Sequence, residues 1–285
     1  MEFKYCFEFR YSSFGFHISM SLKILFIGDI VGKLARTALT EELPKMKKKY
    51  KPDFVIANGE NAAHGLGISE KIFKELLSIG IDFVTLGDHA FDKEEIAKSL
   101  DTDSSHIIRP YNFSPGVSGS GASVIEVGTK KVLIVNLLGR VFMKMNFDCP
   151  FRAIDAILEK YKNEKLSAII IDFHAETTSE KKAFGWYVDG RVSAVFGTHT
   201  HVPTCDHWVM PKGTAYVTDA GMVGPRDSII GRKIESTLPM FLTQKSMSYE
   251  PVEEGVCLIH SVMVEIDTET MQAKSIERLD KEIEL

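Results

Sequence analysis

The sequence holds little cysteine: four residues in 285, at positions 6, 149, 205 and 257, with no C-x-x-C pair. That excludes a disulfide framework and a thiolate zinc site, and it points to a reducing, cytoplasmic compartment. No apolar run approaches the roughly 18 residues needed to cross a bilayer, so no membrane association is expected. There is no excess of positive charge either: 34 Lys and Arg against 39 Asp and Glu give a formal charge of -5. Stable DNA binding is therefore not expected, because that affinity comes from neutralising phosphates. Repeats and low-complexity tracts are missing, and so is any linker between domains. With 44% hydrophobic and 26% charged residues the chain has an ordinary globular composition, which excludes long disorder, collagen and coiled coil. One domain is expected over residues 20–285. Residues 1–19 are aromatic-rich and interrupted by Glu2, Glu8 and Arg10, unlike a secretory signal, and read as an extension of unclear role.

What is present is an alternation. Short apolar runs at Lys23–Ile27, Asp53–Ala57, Phe83–Leu86, Val132–Leu137, Ala168–Phe173, Ser193–Phe196 and Ala215–Thr218 are rich in Ile, Val, Leu and Phe and alternate little. They suit strands buried on both faces. Helical patterns are expected at Leu34–Lys49, Glu70–Ser78, Lys93–Ser99, Phe151–Lys162 and Ser179–Tyr187, with Ser69 and Gly80 as cap signals around the second. Strands alternating with helices mean α/β layers. Pro110–Gly121 reads as loop, and Val256–Val262 and Met263–Asp267 read as antiparallel strands. The basic run Lys45–Lys51 reads as the solvated end of a helix.

The chemistry stands at the strand ends. Asp29, then Glu60 and Asn61, then Asp88 and His89, then His174, then His199 and His201 each follow a predicted strand. In open α/β sheets ligands bind beyond the carboxyl ends of strands. Any one of these residues alone reads as a cap, a loop residue or a structural histidine. Together, Asp29, Glu60, Asn61, Asp88, His174, His199 and His201 form a mixed oxygen and nitrogen donor set that suits Mn, Fe or Zn. They are too many for one ion with an open position, and they suit two ions about 3.5–4 Å apart sharing a carboxylate.

The segments GDIVG (28–32), NGENAAHG (58–65), GDHAFDK (87–93), DFHAETTSEK (172–181), DGRVSAVFGTHTHVPTCD (189–206) and GTAYVTDAGMVGP (213–225) resemble the YmdB-like metallophosphoesterases of the calcineurin-like dimetal superfamily. The resemblance runs from about residue 23 to about residue 267. It implies a layered α/β/β/α sandwich with mixed sheets and helices outside, and two divalent or trivalent metal ions per chain, Fe or Mn before Zn. Asp29, Glu60, Asn61 and His201 would hold one ion. Glu60, Asp88, His174 and His199 would hold the other, with Glu60 bridging. His89 would be no ligand but a catalytic residue facing the scissile phosphate, as general acid or as the group that orients the leaving group. The implied reaction is hydrolysis of a small phosphodiester by a metal-bridging hydroxide, with 2′,3′-cyclic nucleotides as the first substrate class and RNA ends as an extension of it. A phosphomonoesterase or nucleotidase on the same site, and a metal-binding regulatory protein with little turnover, are the alternatives.

The chain departs from the superfamily's D-x-H, GD, GNH, H, GHxH pattern at two places. Val31 stands at the first histidine's position, and Asp88 stands where Asn is usual. The added negative charge favours a more highly charged iron, or a higher working pH. His64, Arg140 and Arg226 are candidate substrate contacts, and Asp172 and Asp219 are candidate partners that orient ligand histidines. His106, His207 and His260 read as bystanders. A homo-oligomer is compatible with the sequence.

Overall fold

The computed structural model describes residues 20–103, 106–245, 248 and 250–285. The extension at 1–19, with Cys6, lies outside the described residues. The chain runs through β1 (Ser21–Ile27), β2 (Asp29–Ile30), α1 (Gly32–Tyr50), β3 (Phe54–Asn58), α2 (Glu70–Ile79), β4 (Phe83–Thr85) and α3 (Ile96–Thr102). Then follow β5 (Ala122–Val127), β6 (Lys130–Leu138), α4 (Pro150–Tyr161), β7 (Ala168–His174), α5 (Thr178–Val188) and β8 (Ala194–Thr198). It finishes with β9 (Trp208–Val209), β10 (Ala215–Val217), β11 (Met222–Pro225), α6 (Ile234–Thr243), β12 (Val256–Ile259), β13 (Ser261–Asp267), β14 (Ala273–Arg278) and β15 (Lys281–Glu284).

Two sheets stack face to face. One has the order β14-β13-β1-β3-β4, the other β5-β6-β7-β8-β10-β9, and a smaller sheet β15-β12-β11-β2 adjoins them. Strand periodicity sorts the side chains. In β1, Leu25 and Ile27 pack with α1 and α2, while Leu22, Ile24 and Phe26 turn to the second sheet. In β6, Leu133, Val135 and Leu137 pack with Ile154 of α4 and Phe184 of α5, while Val132 and Ile134 turn inward. Phe26 stacks on Phe196 across the sheet interface at 4.6 Å between ring centres. The order of layers is helix, sheet, sheet, helix, as expected. α2 begins at Ser69, whose hydroxyl accepts the Ile72 N–H at 3.2 Å, and ends at Gly80 with φ +105°. The lysines of the basic run fill the last turn of α1.

Parallel pairing aligns the chemistry. β1, β3 and β4 are parallel neighbours, with Ile27 opposite Ala57 and Asn58 opposite Thr85. β6, β7 and β8 are parallel too, with His174 opposite Thr198. Donors therefore leave two sheets at matching edges rather than one.

One expectation needs correction. Val256–Val262 and Met263–Asp267 break instead at His260, and the resulting β12 and β13 do not pair with each other. β12 joins β11 and β15, while β13 joins β1 and β14. α6 forms even with Pro239 inside it. No helix among the described residues is long and apolar enough to cross a membrane.

Candidate metal centre

Around His174 Nε2 lie Glu60 Oε1 at 3.0 Å, Asp88 Oδ1 at 3.1 Å and His199 Nδ1 at 2.9 Å. These four side chains form a group able to hold a metal ion. Separations near 3 Å are those of ligands sharing one ion with bonds of about 2.1 Å. Beside them, Asp29 Oδ1 lies 4.0 Å from His201 Nε2, and Asn61 Nδ2 lies 3.2 Å from that nitrogen and 3.1 Å from Glu60 Oε1. A half-turn of the Asn61 amide presents its oxygen instead. The seven candidate donors thus lie close together, and four of them, Glu60, Asp88, His174 and His199, form the one group among the described residues whose ligand atoms could share an ion.

Three observations test whether a cation fits. Asp29 is fully buried, yet its Oδ1 has no hydrogen-bond partner among the described residues. A carboxylate oxygen in that position is costly unless a cation or donor meets it; burial pushes Asp29 well above the usual carboxylate range. Second, the histidine tautomers are held from behind. The Thr198 hydroxyl donates to Asp172 Oδ1 at 2.6 Å, so its oxygen accepts from His174 Nδ1–H at 2.9 Å and Nε2 is left to face the cluster. His201 Nδ1–H donates to the Ile230 carbonyl at 3.1 Å, with the same consequence for its Nε2. Burial holds His201 below its usual pKa, which favours the neutral, ligating form. Third, burial opposes charge on His174, but Glu60 and Asp88 more than offset it and raise its pKa well above the usual value. A cation bound there would take the place of the proton so retained. Burial also works against the Asp88 carboxylate, yet hydrogen bonds from His174 and His199 keep it well below the usual range. The residues fit a metal site.

The backbone is shaped for this crowding. His199 and His201 both have positive φ, +98° and +64°, a conformation uncommon for residues with a Cβ and frequent at functional sites. The fully buried Lys181 pins their loop: its Nζ donates to the Thr198 carbonyl at 2.7 Å and to Asp219 Oδ2 at 2.6 Å. Asp219 also accepts the Thr200 N–H at 3.2 Å. Asp172, beyond Thr198, accepts from Asn58 at 2.9 Å and from Thr85 at 2.6 Å, tying the two sheets together.

Gly87 precedes Asp88 where space, not φ, demands glycine. A Cβ there would lie 2.2 Å from Glu60 Oε2 and 2.4 Å from His174 Nε2. Gly87→Ala should therefore weaken metal affinity about 10–100-fold, the range seen when ligand orientation is disturbed. Metal retained after dialysis, read by mass spectrometry beside a circular dichroism spectrum, checks this; full retention would show that the cluster yields.

The candidate catalytic histidine is fixed by two contacts. His89 Nδ1 is 2.8 Å from Asp92 Oδ2, and its backbone N–H donates to Glu60 Oε2 at 3.0 Å. Its side chain lines a cavity of about 260 Å³ with Glu60, His199 and His201. The candidate substrate contacts are not brought there. His64 is exposed near Glu253, Arg226 pairs with Asp227 and Glu282, and Arg140 is exposed; none lines the cavity. In their stead it contains Glu176, Arg232, Leu66 and Ile230, which the sequence reading did not single out. Glu176 Oε2 stands 3.2 Å from His199 Nε2, a carboxylate behind a candidate ligand histidine. Its place two residues after His174 was the available signal. A larger cavity, about 610 Å³, is lined by Tyr111, Phe113, Cys149 and Arg152. Its buried Arg109 spends its guanidinium on backbone carbonyls of residues 110–119, so that cavity reads as loop scaffolding.

Residues 25–279 match a family described as YmdB-like protein. The chain is 46% identical over 258 residues to a 2′,3′-cyclic-nucleotide 2′-phosphodiesterase of Bacillus subtilis, covering 90% of this chain and 96% of that protein. Among solved structures, a hypothetical protein from Thermus thermophilus superposes with a TM-score of 0.84 at 40% identity, covering 92% of this chain and 99% of the other. A phosphatase from Mycoplasma pneumoniae gives 0.85 at 36% identity, with 92% and 94% covered.

Proposed function

Since the chain belongs to the YmdB-like protein family, we propose that it is a metal-dependent phosphodiesterase that opens 2′,3′-cyclic nucleotides. The observation that carries this reading is the convergence of buried donors around His174 Nε2, close to an Asp29 Oδ1 that has no hydrogen-bond partner among the described residues and beside a cavity lined by Glu60, Asn61, His199 and His201. Asp29, Glu60, Asn61 and His201 would hold one ion, and Glu60, Asp88, His174 and His199 a second, with Fe or Mn favoured by the carboxylate and imidazole donors. Bound there, the ions supply Lewis acidity toward phosphoryl oxygens and acidify water.

The side chains do the rest. With its Nδ1–H donated to Asp92, a protonated His89 carries its second proton on Nε2 and presents it toward the cavity that it lines. As water adds at phosphorus and gives up a proton to solvent, the P–O2′ bond breaks, the 2′-oxygen takes the proton from His89, and a 3′-phosphomonoester remains. Thr198 and the Ile230 carbonyl keep His174 and His201 turned inward while charge builds up. A cavity of about 260 Å³ lies near the small end of ligand sites, whose range is roughly 300–1,000 Å³, and suits a mononucleotide. Unpaired thiols at Cys149, Cys205 and Cys257 support a cytosolic setting. Exposed Leu238, Phe241 and Leu242 on α6 support self-association.

Turnover of 2′,3′-cyclic AMP with added Mn or Fe tests the reading. His89→Ala should lower kcat on the cyclic nucleotide by about 10²–10⁴-fold with metal content unchanged. Bis-p-nitrophenyl phosphate should lose less, because nitrophenolate departs without a proton. Equal losses on both substrates would remove the acid role from His89, and no turnover by the unaltered protein would remove the function.

A further inference from the structure

The fold gives no reason for residue 230 to be isoleucine. Ile230 sits in a two-residue turn closed by reciprocal hydrogen bonds, Ile229 N–H to the Arg232 carbonyl at 2.9 Å and Arg232 N–H to the Ile229 carbonyl at 3.1 Å. Both central residues are left-handed, with φ +48° at Ile230 and +98° at Gly231. Such a turn favours Asn followed by Gly, and a β-branched residue at positive φ is an outlier because its side chain crowds its own backbone. Gly231 is accounted for: a Cβ there would lie 2.5 Å from Val31 Cγ1. For Ile230 no such account exists. Its carbonyl serves His201, but any residue has a carbonyl. Its side chain is 45% exposed and joins none of the three hydrophobic cores among the described residues. Backbone, burial and hydrogen bonding therefore all fail to select it.

What remains is the cavity. Ile230 lines it, and so does the half-buried Leu66, which also stands outside the three cores. Apart from Gly65, the other lining residues are polar or charged. The cavity thus has two apolar side chains beside a strongly polar floor. A nucleotide has the same polarity: a phosphate that suits the floor and a base with apolar faces.

We infer that Leu66 and Ile230 form the seat for the nucleobase, and that Ile230 determines specificity for nucleoside cyclic phosphates over base-free ones. This rests on the function proposed above. Strain at residue 230 is retained because the branched side chain contacts the base, as left-handed backbone often does at ligand sites.

The test compares 2′,3′-cyclic AMP with glycerol 1,2-cyclic phosphate, which has the five-membered phosphate ring and no base. For Ile230→Asn, the ratio of the two kcat/KM values should fall about tenfold, chiefly through KM for the nucleotide. The Tm should rise by roughly 2–4 °C as the turn relaxes. Leu66→Ala should lower the same ratio. An unchanged ratio, or equal losses on both compounds, would overturn the inference. If the unaltered protein cleaves neither compound, the proposed function fails by itself. Calorimetric binding of adenosine 3′-phosphate against glycerol phosphate then decides the seat. A preference for the nucleotide that Ile230→Asn removes supports it, and a preference absent or unaltered overturns it.

Discussion

Glu60→Gln should yield a folded protein that holds little metal and turns over at least about 10³-fold more slowly, since metal ions supply several kcal/mol of transition-state stabilisation. The substitution keeps the side chain's shape, so packing is not what changes. Glu60 is 1% exposed. Its Oε2 accepts the His89 N–H, while its Oε1 faces His174 Nε2 and the Asn61 amide nitrogen. An amide has only one oxygen for these two duties. Turned one way, its NH₂ meets the His89 N–H, donor against donor. Turned the other way, the NH₂ points at His174 Nε2 and Asn61, where a cation would be. The negative charge that both proposed ions share is lost in either case. Circular dichroism, metal content and turnover on one preparation check this. Full metal content in the variant would show that Glu60 is not the shared ligand.

Lys181→Met should be among the most destabilising single changes in the chain, costing about 3–5 kcal/mol because it leaves a buried charge without its partner. Lys181 is 1% exposed and Asp219 is fully buried. Methionine fills much of the volume, so the loss is electrostatic. Asp219 would retain only the backbone donors of Thr200 and Gly221, and the Thr198 carbonyl would lose a charged donor. The Tm should drop on the order of 10 °C. Because the pair pins the loop of His199 and His201, metal affinity should fall with it. A Tm within 2 °C of the parent would show that the pair contributes little.

The strands and the donors at their ends were legible because both are local. A buried strand announces itself as a short run of Ile, Val and Leu, and His174 or Asp88 follows directly. The partition into two sheets was less so, since pairing of β1 with β13 joins residues far apart in sequence. The break at His260 shows the same limit: residues 256–267 alternate smoothly, and only tertiary packing sends β12 and β13 into different sheets. The cavity wall was the least legible part. Arg140 and Arg226 are basic residues near motifs, but a motif does not say which way a side chain turns. Arg232 and Ile230 reach the cavity through a turn whose left-handed backbone the pair Ile-Gly does not advertise. Lys181 was visible only as part of a motif, because nothing in a sequence marks a lysine as buried.

Metal content bears most directly on the central claim that these donors converge on cations. Protein purified without chelator, reconstituted with Mn or Fe and passed through a desalting column, should carry about two ions per chain by mass spectrometry, as a shared-carboxylate site implies. Glu60→Gln prepared in parallel should carry far fewer. A chain that retains no metal after reconstitution would contradict the account at its base.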